Sequence, residues 1–172
     1  MDPSPPSAAA AIAGVVAPST AATIATECLA VRVRVLCRAV TSLYDETLRP
    51  HGLKVTQMNL LVALSLLGES RPSRLCDLLR LERSTFSRTI ERMRRQGWVA
   101  TTPDTDARTH LVSVTDVGRA LLERAKPAWE AAQADACALL GEEGARAVLE
   151  AGNGLMGIGA DDRFAGSREE RP

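Results

Sequence analysis

Apolar residues in this chain keep a helical period over most of its length and switch once to a strand period. Leu29, Val33, Leu36, Val40 and Leu43 step by four, three, four and three, the spacing of an amphipathic helix, with Arg32, Arg34, Arg38 and Asp45 off the stripe. Pro50 and Gly52 end that helix. A second helix is expected from Thr56, which can cap it, through Leu60, Leu61, Leu64 and Leu67 to Gly68. A third, short helix is expected from Pro72 and Ser73, with Leu75, Leu78 and Leu79 inward. Almost at once follows LERSTFSRTIERMRRQGWV (81–99), in which Phe86, Ile90 and Met93 fall within roughly 60° of one another on a helical wheel. Beyond Gly97 the period drops to two: 98–102 reads as a strand, 103–108 as a turn, and Leu111, Val112 and Val114 as the returning strand. Thr115 and Asp116 then cap a long helix through Leu121, Ala125, Trp129 and Ala132 to about Leu140, which Pro127 is expected to kink. A last Ala- and Gly-rich helix is expected over 142–155.

Helix, short turn, helix, then a two-stranded hairpin is the plan of a winged helix-turn-helix, so the fold class is mainly α, an α+β winged domain flanked by helices. Residues 1–23 read as a disordered tail and 24–158 as the domain, with the winged helix-turn-helix over about 53–115 between helical regions 24–50 and 116–158. Residues 159–172 read as a polar tail. The apolar run 8–17 is too short to span a bilayer and follows MDPSPPS, which has an acid and three prolines where a secretory leader has basic residues. No membrane segment is expected, and the setting is cytoplasmic.

Composition adds one fact and removes several options. The chain has 21 basic and 21 acidic residues and no net charge, so total charge names no partner. Its basic set is nonetheless almost entirely arginine, with Lys54 and Lys126 the two lysines. Arg presents a rigid fork of donors that suits phosphates and guanine edges, although an Arg- and Ala-rich chain also follows from a GC-rich genome. Over 71–110 there are nine arginines and five acids, a local excess of four positive charges that favours phosphate binding over an ordinary mixed-sign surface. Four cysteines, Cys28, Cys37, Cys76 and Cys137, lie far apart, and with His51 and His110 they make no metal-ligand spacing. Cys28 and Cys37, nine positions apart on one expected helix, point to nearly opposite faces. No nucleophile–base pair, metal set or phosphate loop appears, so neither an enzyme nor a cofactor is expected.

The face of the 85–96 helix opposite its apolar side carries Ser84, Arg88, Glu91, Arg92 and Arg95, with Thr85 at the flank. The N-terminal turn of a recognition helix enters the major groove. Thr85, Ser87 and Arg88 are therefore placed to touch base edges, with Arg88 able to fork onto guanine, and Thr89 is a further DNA-binding candidate. Ser84 reads as the N-cap or as a phosphate contact. Arg92 and Arg95 lie further along, where phosphates are met, and Arg108 sits at the tip of the hairpin. The plainer role of Arg108 is an ion pair with Asp104 or Asp106.

Two strings, LCDLLRLERSTFSRTIERMRRQGWV (75–99) and DTDARTHLVSVTDVGRAL (104–121), resemble the MarR family of bacterial transcription regulators, and the resemblance extends over about 27–155. Cys76 takes the family's small residue in the helix-turn-helix, Gly97 closes the recognition helix, and Asp106-Ala107-Arg108 matches its D-x-R wing. Trp98 after the glycine and Ser113-Val114-Thr115 in place of the commoner Leu-Thr ending are departures that leave the DNA-reading residues untouched. The resemblance implies an obligate, triangular homodimer paired through 24–48 and 128–158, bound to double-stranded DNA. Its two recognition helices would read a pseudo-palindrome with half-site centres about one helical turn, roughly 10 bp, apart. It further implies a repressor released by a small aromatic or phenolic effector, held between the dimerisation helices and the winged domain, where Arg38, Tyr44, His51, Met58 and Trp129 fall. The plainer reading of Met58 and Trp129 is core, and of Arg38 a partner of Asp45 or Glu46. A branch of the family senses peroxide through a cysteine of the first helix. Cys28 is the residue nearest that role, but Ala30 aligns with the position, and a packing role for Cys28 competes. A winged-helix module for protein contacts is the remaining alternative.

Overall fold

The computed structural model describes residues 19–104 and 110–156. Most of the tail expected over 1–23, the tail 159–172 and the hairpin tip with Asp106 and Arg108 lie outside the described residues. The chain divides into two units, 1–40 and 41–172.

In the first unit, α1 (Thr20–Glu27) starts where Ser19 Oγ accepts the Ala22 amide at 3.2 Å, so residues 20–23 are helical where the sequence suggested tail. Cys28 is extended (φ −67°, ψ 108°), and α2 (Leu29–Leu48) begins after it. The single helix expected from Glu27 is thus broken at Cys28. The Arg32 guanidinium closes the break, donating to the carbonyls of Ala25 and Cys28 at 3.1–3.2 Å.

In the second unit, the end of α2 buries Tyr44 and Leu48. A 3-10 turn, Arg49–His51, closes on Gly52 (φ 66°), and α3 (Val55–Leu67) follows. Thr56 does not cap α3. Lys54 is the N-cap, its amide donates to Gln57 Oε1 at 2.9 Å, and the Val55 amide donates to Asp45 Oδ1 at 2.8 Å from the end of α2. Capping by a residue ten positions upstream has no local sequence signature. Next come α4 (Pro72–Leu79), with Pro at its first position, and α5 (Arg83–Arg95), joined through Arg80 in the left-handed region (φ 51°).

The end of α5 explains Gly97. Its φ is 71°, its amide bonds Arg94 O at 2.9 Å, and the Trp98 amide reaches Met93 O at 3.0 Å. This is the Schellman pair of bonds, which requires a left-handed residue at that place. The wing pairs β1 (Val99–Pro103) antiparallel with β2 (His110–Val114) in the register Val99↔Val114 to Pro103↔His110. A one-residue bridge, Ser70↔Val112, ties the wing to the turn before α4 through two bonds of 2.9 Å. The core of the unit is Leu48, Leu53, Leu60, Leu61, Leu64, Leu75, Met93 and Val112, all fully buried.

Thr115 caps α6 (Asp116–Met156): its Oγ1 accepts the Gly118 amide at 3.1 Å and donates to Gly97 O at 2.6 Å. The long helix keeps helical dihedrals through Pro127 and leaves them at Gly141 (φ 71°, ψ 163°). The joint between the two expected C-terminal helices lies at Gly141, between Leu140 and Glu142 as expected, whereas the expected kink at Pro127 brings no departure from helical dihedrals. Among the described residues no helix is long and apolar enough to cross a membrane.

Candidate nucleic-acid interface

Helix α5 is anchored by Phe86, Ile90 and Met93, which are 3%, 7% and 0% exposed, as their spacing requires. Ser84 is not its cap: the helix begins at Arg83 after Glu82, which occupies the N-cap without a side-chain bond, and Ser84 stands exposed in the first turn. Thr85, Ser87, Arg88, Arg92 and Arg95 are exposed as expected, and Thr89 is half-buried. Ser87 and Thr89 donate their hydroxyl protons to the carbonyls of Arg83 (2.9 Å) and Thr85 (2.8 Å), which leaves their oxygens as outward acceptors.

Charge on this helix is sorted. Glu91 takes Arg94 at 3.0 Å and Arg95 at 3.5 Å, and the bond from Arg94 holds its carboxyl below the usual range. Arg95, expected at phosphates beside Arg92, thus shares a carboxylate. Arg83, Arg88 and Arg92 have no acid partner among the described residues. Of the clefts that border α5 among the described residues, two are lined partly by acids, one by Glu91 and one by Asp77 and Glu82, and two others are basic. A 180 Å³ cleft lies between Thr85, Arg88 and Arg92 on one side and Lys54, Thr56 and Gln57 of α3 on the other. A 320 Å³ cleft lies between Arg83 and Ser87 of α5, Arg71 and Ser73 at the start of α4, and His110 of β2. Arg71 is steadied by Asp104, Nε to Oδ2 at 2.7 Å.

The residues expected at an effector divide. Met58 and Trp129 come together in an apolar groove of 450 Å³ between α3 and α6, with Val62, Leu122, Glu123 and Lys126. Met58 is buried, while Trp129 is 40% exposed and so is not core. Tyr44 and His51 do not line it, and Arg38 belongs to the first unit. Tyr44 instead gives its hydroxyl proton to Gln133 Oε1, and burial pushes its phenol pKa up, with Cys137 adding to the shift. Asp45 and Glu46 hold Lys54 and Arg49. Cys28 is half-buried at the α1–α2 break, where Arg32 points at carbonyl oxygens. Cys76 is buried in the helix-turn-helix, which raises its thiol pKa. Among the described residues no cluster of three or more His, Cys, Asp or Glu could hold a metal.

This geometry has close counterparts. Residues 51–109 match the family model described as "MarR family". The transcriptional regulator MosR of M. tuberculosis, solved in complex with DNA, is 34% identical, with a TM-score of 0.65, and the match covers 76% of this chain and 98% of that one. The chain belongs to the MarR family. A mutant MarR from E. coli, solved with operator DNA, shares the fold at 21% identity and a TM-score of 0.65, over 75% of this chain and 93% of that one. An uncharacterised helix-turn-helix-type transcriptional regulator of Bacillus subtilis, YwoH, is 32% identical over 78 residues. That match spans 45% of this chain and 57% of YwoH.

As a MarR-family chain it is a DNA-binding transcriptional regulator with a winged helix. The sequence did not point to Arg83 at the start of α5, nor to Lys54, Thr56, Arg71, Ser73 and His110, which border that helix. The available signal was position, because Lys54 and Arg71 each immediately precede a helix packed in the winged domain.

Proposed function

We propose that this MarR-family regulator is a cytoplasmic homodimeric repressor that binds a pseudo-palindromic operator and releases it on binding a small aromatic or phenolic effector. One observation carries the DNA reading. Three arginines without acid partners among the described residues, Arg83, Arg88 and Arg92, project from a helix whose other face is locked in the core. Thr85, Ser87, Arg88 and Thr89 read base edges, while Ser84, Arg92 and Arg95 meet the backbone. Arg108 of the wing, outside the described residues, reaches the adjacent minor groove or backbone. The groove of Met58, Val62, Leu122 and Trp129 takes the apolar body of the effector, and Lys126 at its rim suits an anionic group.

The test is selection of bound duplexes from a random pool, followed by release with a panel of aromatic acids and phenols. A bidentate Arg–guanine pair discriminates by about 1–3 kcal/mol. Arg88→Ala should accordingly relax the preference at one base pair per half-site by roughly 5- to 150-fold. A variant that retains the selected sequence unchanged would remove Arg88 from the reading face. Organic hydroperoxide should leave binding intact, since Arg32 faces carbonyls and not a thiolate at Cys28.

A further inference from the structure

We infer that Arg80 tethers the C-terminal segment of α6 to the turn of the helix-turn-helix, and that this tether sets the half-site spacing the dimer accepts. The inference rests on the dimeric DNA-binding reading above and adds a positioning residue to it. Arg80 holds the recognition helix in place and does not itself read DNA.

The first observation is backbone conformation. Arg80 follows α4 at φ 51° and ψ 42°, and its amide bonds the carbonyl of Cys76. Glycine is the usual residue at such a left-handed helix end, because a Cβ is disfavoured there. Among the described residues Arg80 is the one non-glycine residue with a positive φ. A strained arginine at a place that suits glycine directs attention to its side chain.

The second observation is where that side chain goes. Asp77 and Glu82 line the same cleft as Arg80, yet among the described residues no acid forms an ion pair with it. The guanidinium instead donates from Nη2 to the carbonyl oxygen of Leu155 at 3.3 Å, 75 positions along the chain. Leu155 lies in the last turn of α6, where carbonyls lack partners within the helix and the helix dipole favours a cation. Arg80 therefore caps α6 from the turn that leads into α5.

The third observation is the joint. Helical dihedrals are lost at Gly141, so the stretch from 142 to 156 is a separate helical rod, roughly 20 Å long. The glycine joint lies at one end of this rod and Arg80 at the other. Val148 and Leu155, seven positions apart, share a face of the rod and are 44% and 70% exposed. That face falls within the segment expected at the dimer contact. A rod held along its length by the partner chain and at its end by Arg80 fixes each recognition helix at a set distance from the other.

Arg80→Gly removes the guanidinium and suits the left-handed backbone, so the variant keeps its fold. Arg80→Lys retains a cationic donor and is the conservative variant. The probes are the duplex the wild-type chain selects from a random pool, that duplex with one base pair added or removed at its centre, and a single half-site. Wild type should prefer the selected spacing. Arg80→Gly should narrow that preference by roughly two- to tenfold, the worth of one hydrogen bond, with half-site affinity unchanged. Without DNA, hydrogen exchange of amides 152–156 should quicken by a similar factor. Arg80→Lys should restore both readouts toward wild type. Unchanged exchange in Arg80→Gly would overturn the tether. Unchanged spacing preference, or a wild-type chain indifferent to spacing, would overturn its role in spacing. An equal loss on half-site and full site would make Arg80 a DNA contact and overturn the inference too. Failure of the wild-type chain to retain any duplex would overturn the DNA reading, while exchange would still decide the tether.

Discussion

At the scale of single residues, two positions show how the winged domain is fixed. A Cβ added at Gly118 would sit 2.2 Å from the Trp98 carbonyl oxygen and 2.9 Å from Val114 Cγ2. The glycine of the T-D-V-G-R string is thus required by the close approach of α6 to the wing, not by backbone freedom. Gly118→Ala has a backbone atom in its way, so overpacking should lower unfolding stability by about 1–3 kcal/mol, read from urea titration. No loss would mean that α6 can slide away from β1. Tyr44 makes the complementary case. Its phenol pKa is raised by burial, so as pH climbs past the ordinary value of 10.0 the unfolded chain loses its proton before the native chain does. The unfolded state then binds fewer protons, and stability falls as pH rises through that range. Tyr44→Phe should flatten this alkaline decline in melting temperature. It should also lower neutral-pH stability by about 0.5–1.5 kcal/mol, because Gln133 loses its hydroxyl partner. A decline of equal steepness in Tyr44→Phe would assign the alkaline loss to other groups.

At the scale of elements, α6 treats two expectations differently: the break expected after Leu140 is present, and the kink expected at Pro127 brings no departure from helical dihedrals. Proline lacks an N–H and disfavours a helix interior, yet α6 runs through Pro127 and breaks at Gly141, whose φ and ψ (71°, 163°) suit glycine alone. Pro127→Ala should therefore raise the melting temperature, by up to about 3 kcal/mol of helix propensity, with the joint unmoved. Gly141→Ala should lower stability by about 1–3 kcal/mol. If the proline variant melts lower, Pro127 is packed in a way its exposure does not suggest. The elements themselves were legible, because local pattern decides them: Phe86, Ile90 and Met93 are the buried face of α5, and the strand boundaries shift by one residue. Two classes of feature were not legible. The cap on α3 comes from Asp45, and the bridge Ser70↔Val112 spans some forty residues, so neither leaves a local period. The same reason hid part of the interface: Lys54 and Arg71 become neighbours of α5 only when α3 and α4 pack. The helical wheel shows the direction of Arg95 and not that it shares the carboxylate of Glu91.

At the scale of the molecule, the zero net charge reflects segregation, with an arginine face on α5 and acids placed elsewhere. Apolar surface is segregated too. Leu29, Val31, Val33 and Val35 of α2 are 50–76% exposed in the first unit, and Leu139, Val148, Leu149 and Leu155 of α6 are 44–70% exposed in the second. Runs of exposed apolar residues on two helices mark association surfaces, and the proposed dimer uses both. Val33→Asp and Leu149→Asp place charges where the dimer would desolvate them. Each variant should sediment near the 18.3 kDa of one chain, while wild type sediments at about twice that mass, all with the same helical circular dichroism. The functional consequence follows from linkage. Once one half-site is bound, the second engages at a high effective concentration, so two tethered recognition helices bind a full site far more tightly than a half-site. The monomeric variants should lose that gain and bind full and half-sites with equal affinity, still with the salt dependence of a single α5. A wild-type chain that sediments as a monomer, or charged variants that remain dimers, would place the dimer contact somewhere other than these two helices.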